Sequence, residues 1–357
     1  MGAALVKLGC QVSLIVHGKS QNRDYIDERI NVLQWPSPRP TRLADAKFLH
    51  RLLSRRNSSC VISNFGSTAL MMTIGVLHRV PVRIHWHHTL STQIQQELPK
   101  NNLVRIWFFR QRAKLVYRMA THNVANSQAA RMDLAHAYGV PLRQCAVFWN
   151  CLEDPAIGLP MNSATLKQPE RPQRLVCVGR FHPCKGQDIL LRAVALLVQR
   201  LPKVTIEFVG DGPWKKTCER ISGDLGISSH CVFCGELTHS EVLLKMTGAW
   251  ATIVPSRTEA FGLVNIESMA MGTPVIGSAT GGITEIIRDH MDGLLFRPED
   301  HEALARCIVE LAENPVLRNQ LSLNSRQRFL ENFELSRSIK AQADWVCGLI
   351  EAAERRG

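Results

Sequence analysis

Hydrophobic and polar positions along the chain fall into two alternating rhythms. Short apolar runs rich in Val and Ile are separated by longer stretches in which apolar residues recur every three or four positions. The first rhythm suits buried strands and the second amphipathic helices, so their alternation predicts parallel α/β sheets. In the first half, strands are expected near 11–16, 60–63, 82–86, 122–126 and 146–149. Residues 154–173 are rich in Pro and polar side chains, lack periodicity and read as a linker. A second alternation follows, with strands near 175–178, 204–209, 231–233, 251–254, 274–277 and 293–296 and helical patterns from 300 to 355. Two doubly wound domains are therefore expected, over 1–153 and 174–335, with a C-terminal helix over 336–357 packing back on the first.

The length of 357 residues fits two cores better than one. The 43 Lys and Arg exceed the 31 Asp and Glu, and the formal charge of +12 favours anionic partners: phosphorylated substrates, anionic lipid or nucleic acid. Nucleic acid is set aside because aromatics do not interleave with basic residues in a recognisable motif and no zinc-finger spacing occurs. Eleven scattered cysteines suit reduced thiols in the cytosol rather than a disulfide framework. Cys231 and Cys234 form a lone C-x-x-C in CVFCG, which reads as a buried strand, and no metal site is expected. The first residues lack a basic leader region and Lys7 interrupts their apolar run, so they do not read as a signal peptide. The expectation is a cytoplasmic chain. Residues 102–119, NLVRIWFFRQRAKLVYRM, combine Trp107, Phe108 and Phe109 with Arg105, Arg110, Arg112, Lys114 and Arg118, a pattern that suits an anionic membrane surface or a solvated basic face.

The densest chemistry lies in SRTEAFGLVNIESMAMGTPVIGSATGGITE, residues 256–285. Glu259 and Glu267 flank Phe261, Gly262 and Leu263 at an expected helix start, where free N–H groups and the helix dipole favour an anion. Glu267, two turns into that helix, can accept hydrogen bonds from vicinal hydroxyls, while Glu259 faces the group beyond the phosphates. In VGRFHPCKG, Gly179 lets the backbone turn after a strand, and Arg180 and Lys185 bring two cations to a diphosphate. VGDGPW is a strand ending in a Gly-rich turn, common in α/β proteins.

Taken together, VGRFHPCKG, VGDGPW, FCGEL, EAFGLVNIE and GTPVIGSATGGITE occur in the order and spacing of glycosyltransferase family 4, which the chain resembles over almost its whole length. The resemblance implies the GT-B fold, two doubly wound Rossmann-like domains facing across a cleft. It implies transfer of a sugar from a UDP- or GDP-sugar donor to a hydroxyl with retention, without metal or bound cofactor, in polysaccharide or glycolipid assembly. Carried over by residue, it gives Arg180 and Lys185 the diphosphate, Glu267 the ribose hydroxyls and Glu259 the donor sugar. Backbone at Phe261, Gly262, Leu263 and Val264 would line sugar and phosphates, with Gly179 at the turn and backbone at Leu237 meeting the base. His87, in PVRIHWHHTL, stands where the family usually has a strand-end His near donor sugar and acceptor, which makes Glu259 and His87 the catalytic candidates. A glycan or lipid-linked acceptor and a peripheral place on the inner membrane face belong to the same expectation.

Two departures qualify it. In NCLED, Asn150 is the only identity with the family's Asn-Gly-hydrophobic-Asp, Cys151 replacing the Gly and Glu153 the Asp. GAALVKLG reads as the end of the first helix and QVSLIV as the second strand, so the family's opening strand and Gly-rich loop are not seen. Two rival readings follow: a non-catalytic nucleotide-sugar-binding relic, and a GT-B nucleotide-sugar epimerase.

Overall fold

A computed structural model describes residues 1–17, 29–38, 42–97, 103–157 and 173–356. The chain divides into two units, Met1–Trp149 with Ser336–Gly357, and Asn150–Leu335.

In the first unit, β1 (Val12–Val16) pairs in parallel with β2 (Ile30–Gln34), Val12 opposite Ile30. A four-stranded parallel sheet follows in the order β3 (Cys60–Asn64), β4 (Val82–His87), β5 (His122–Ala125) and β6 (Cys145–Val147). The sequence pattern did not mark β2, because INVLQ is short, carries Asn31 and Gln34, and is only half-buried. Val82, Ile84 and Val124 fill the core with Leu5 and with Ala343 and Val346 of the helix Leu335–Glu354. That helix belongs to the first unit because its apolar positions, not its place in the chain, decide where it packs.

The second unit is a six-stranded sheet with parallel pairing throughout: β7 (Arg174–Val178), β8 (Thr205–Val209), β9 (Cys231–Gly235), β10 (Ala251–Val254), β11 (Val275–Ser278) and β12 (Leu294–Phe296). Their spatial order is β12-β11-β10-β7-β8-β9. The winding reverses between β7 and β10, and the crevice beyond their carboxyl ends is the place where such sheets bind ligands. CVFCG corrects the expectation of a buried strand: β9 is the sheet edge, with Val232 48% exposed, although Phe233 stacks on Phe208 at 5.1 Å. Part of the expected linker belongs to this unit. Leu152 donates its N–H to Phe333 O at 2.9 Å, and the Asp154 carboxylate takes two bonds from the Arg326 guanidinium at 2.7 and 2.6 Å. Residues 158–172 lie outside the described residues.

Candidate active site

After β7 the chain turns at Gly179, passes Arg180 and enters a tight turn, Pro183–Lys185, before the helix Gln187–Leu197. His182 holds that turn: its Nδ1 accepts from the Cys184 N–H at 3.3 Å, and its carbonyl accepts from the Lys185 N–H at 2.8 Å. After β10 the chain runs through Pro255 to Glu259. Because β7 and β10 are neighbours, the two loops meet although their residues are far apart in sequence. Lys185 Nζ donates to Glu259 Oε2 at 2.6 Å, and the Ser256 hydroxyl reaches the same oxygen at 3.3 Å. Glu259 is only 8% exposed, so its charge is matched by a cation rather than by water.

Arg257 fixes this meeting, and sequence reasoning passed over it. Its N–H donates to Cys184 O at 2.8 Å and its Nη1 to Pro183 O at 2.6 Å. Nη1 and Nη2 also grip both oxygens of Asp188 at 2.8 Å each, while Nε donates to Glu299. Burial pushes the Asp188 carboxyl up, but its hydrogen bonds from Arg257 more than offset that and hold it below the usual range. The same bonds raise the Arg257 guanidinium. One planar fork therefore ties the Lys185 turn, the start of its helix and the Glu299 loop to the segment carrying Glu259. Arg257→Lys keeps the charge but loses the fork, and should lower kcat/KM for the donor by about 10- to 100-fold. Glu299→Gln, which alters only the exposed arm, should stay within about fivefold; steady-state kinetics of the two variants check the contrast.

The helix after the loop is Leu263–Ala270, capped by Gly262 at φ 103°. Its start leaves the N–H groups of Leu263 and Val264 without intrahelical acceptors, and lies close to Glu259, whose Cγ would stand 3.3 Å from a Cβ on Gly262. Phe261 is buried against Phe333, so its backbone rather than its ring is what a ligand can meet. Glu267 sits one turn into this helix, not two, since the helix begins at Leu263. Burial raises the Glu267 carboxyl above its usual range, opposed by His239, whose Nδ1 lies 3.8 Å from Oε1. Behind Glu259, Gly282 donates its N–H to Glu259 O at 3.0 Å. Gly281, at φ +49°, makes that approach feasible, because a Cβ there would stand 2.0 Å from the same carbonyl oxygen.

A cavity of about 760 Å³ opens beyond β7 and β8, within the range of small-molecule sites. Gly179, Arg180 and Leu237 line it, together with Asp211 and Glu236, two acids that sequence reasoning left unassigned. Both had a signal, Asp211 its place in VGDGPW and Glu236 its place in FCGEL. Lys185, Glu259, Glu267 and Phe261 to Val264 are outside this wall. Of the expected residues of the second unit, Gly179, Arg180 and Leu237 thus line the cavity, while Lys185 and Glu259 meet at the seam of β7 and β10.

His87, in the first unit, ends β4 and is 2% exposed. Its ring meets Tyr117 and Tyr138 edge-on at 5.7 and 6.1 Å, with His85 at 5.6 Å. Burial, reinforced by the neighbouring His85 and His88, lowers its pKa to about 3, so at neutral pH it is an uncharged imidazole. Its Nε2 is buried and has no hydrogen-bond partner among the described residues. His85 differs, bonding Asn123 Oδ1 through Nδ1 at 3.0 Å and stacking on Tyr117.

Two Rossmann-like units of parallel strands, the second carrying a cation–carboxylate seam at its switch point, define a chain of the GT-B class. Family models agree: "Glycosyltransferase Family 4" matches residues 1–154 and "Glycosyl transferases group 1" matches 161–328. The chain belongs to glycosyltransferase family 4. It is 29% identical over 187 residues to the GDP-mannose-dependent alpha-(1-6)-phosphatidylinositol monomannoside mannosyltransferase of Mycolicibacterium smegmatis, covering 50% of this chain and 49% of that protein. It is 34% identical over 188 residues to the D-inositol 3-phosphate glycosyltransferase of Salinispora tropica, covering 50% and 39%. These matches span half or less of each relative. In fold it is similar to the sucrose-phosphate synthase of Thermosynechococcus elongatus (TM-score 0.79, 22% identity, 99% of this chain and 92% of that one). It is also similar to HepE of Anabaena in complex with UDP (TM-score 0.72, 19% identity, 89% and 86%).

Proposed function

We propose that this protein transfers a sugar from a UDP- or GDP-sugar to a hydroxyl of a glycan or lipid-linked acceptor in the cytoplasm, retaining the anomeric configuration and using no metal. The observation that carries the reading is the Lys185–Glu259 pair at the β7–β10 crevice, with the first-turn N–H groups of Leu263 and Val264 beside it. Arg180 and Lys185 take the diphosphate, Glu267 the ribose hydroxyls, and the backbone at Leu237 the base. Glu259 takes the donor sugar. The names of relatives support a nucleotide-sugar donor, one being GDP-mannose-dependent and fold neighbours having been solved with UDP and with UDP-glucose.

In this mechanism the C1–phosphate bond breaks and the acceptor oxygen bonds to C1 on the same face. The acceptor proton passes to the departing diphosphate oxygen, while Lys185, Arg180 and the helix start stabilise its charge. An ion-paired, hydroxyl-bonded Glu259 is a damped nucleophile, which favours a positioning and electrostatic role over a covalent one. His87, neutral and with Nε2 unpartnered among the described residues, suits a hydrogen bond to a hydroxyl rather than charge stabilisation.

Incubating the purified chain with a panel of UDP- and GDP-sugars and acceptors tests the reading. Release of nucleoside diphosphate with glycosylated product, unchanged by EDTA, is expected. Donor binding without turnover would instead mark a nucleotide-sugar-binding relic, and an isomerised donor formed without acceptor would mark an epimerase.

A further inference from the structure

The helix Leu103–Met119 has two unlike faces. On one, Val116 is buried in the first unit's core beside Val61 and Met72, Tyr117 stacks on His85 at 4.2 Å, and Arg110 Nε donates to Ala137 O at 2.9 Å. On the other, Val104, Phe108 and Leu115 are 77, 67 and 60% exposed. At 100° per residue these three fall on one stripe, with Trp107, 60% exposed, near its edge. Arg112 flanks one side of the stripe and Lys114 and Arg118 the other, and the helix sequence contains no Asp or Glu. A protein seldom leaves such an apolar row in water without a partner for it.

We propose that this face docks on an anionic lipid bilayer, with Phe108, Leu115, Val104 and Trp107 entering the headgroup boundary and Arg112, Lys114 and Arg118 meeting lipid phosphates. Charge decides the occupant. A second copy would bring like cations together on a chain whose formal charge is already +12, whereas an anionic surface complements both the row and its flanks. The aromatic centre between cations is the layout of helices that lie in the membrane interface rather than cross it, and among the described residues no helix is long and apolar enough to cross. The inference deepens the proposed function by naming the surface on which a lipid-linked acceptor is met, and rests on that reading only for the acceptor.

The test uses the whole chain in flotation with phosphatidylcholine vesicles with and without phosphatidylglycerol. Binding to the anionic vesicles alone is expected, falling as salt rises. Arg112→Glu with Lys114→Glu should weaken it by about 30-fold or more, and Trp107→Ser with Phe108→Ser by at least about tenfold. Nucleotide affinity and melting temperature should hold in both variants. No binding to anionic vesicles, equal binding by wild type and variants, or a wild-type dimer that either variant turns into a monomer without losing vesicle binding would overturn it. Vesicle binding is read without donor or acceptor, so its failure leaves the transferase reading standing.

Discussion

Lys185→Ala is expected to lower sugar transfer by about 10²- to 10³-fold, the loss typical of deleting one preorganised charge stabiliser at a reacting centre. It should also destabilise the second unit by about 1–3 kcal/mol, because Glu259, 8% exposed, would keep its charge without its cation. The second effect has a signature that the first lacks. Combining Lys185→Ala with Glu259→Gln removes the stranded charge, so the double variant should regain most of the melting temperature while transfer stays lost. Thermal unfolding and donor turnover on the two variants and wild type measure both. A double variant that transfers sugar at the wild-type rate would remove the pair from the mechanism, and a single variant as stable as wild type would show that the carboxylate needs no cation.

Gly186→Ala should be the most damaging small substitution in the second unit. Gly186 follows Lys185 at φ +67°, and a Cβ there would stand 1.9 Å from Pro255 O and 2.9 Å from Pro255 C. These are backbone atoms and cannot rotate aside. The left-handed conformation costs an alanine about 1–2 kcal/mol, and forcing the two loops apart adds about 1–3 kcal/mol. Gly226 supplies the control: its φ is +68° but nothing lies within 4 Å of the added Cβ, so Gly226→Ala should carry only the conformational cost. A melting temperature about 5–15 °C lower for Gly186→Ala, with donor binding lost, against a few degrees and intact binding for Gly226→Ala, is the expected result. Equal losses would mean that the close approach to Pro255 does not matter.

The strands were legible where apolar runs are long and uniform, as at β7, β8 and β10, and β2 was lost where Asn31 and Gln34 dilute the pattern. Strand order was not legible at all. CVFCG has the same local pattern at a sheet edge as in its middle, which is why it read as buried. At the site, Lys185 and Glu259 could each be marked from local motifs, but their bond depends on β7 and β10 being neighbours, a fact carried by no local stretch. Arg257 and Asp188 failed for the same reason. Each reads as an ordinary charged surface residue, and their mutual fork exists only once the sheet is assembled. His87 was legible as a strand-end histidine, whereas its neutrality comes from burial, reinforced by His85 and His88, which only the folded unit supplies.

The position of β9 at the sheet edge has an evolutionary consequence. Leu237 and Glu236 hang from that outermost strand, while Lys185 and Glu259 hang from the two innermost ones. Substitutions around 235–242 can reshape what the cavity accepts without straining the central seam, whose loops are interlocked by Arg257. A change of ligand preference is therefore expected to begin at the rim, where it leaves the Lys185–Glu259 bond untouched.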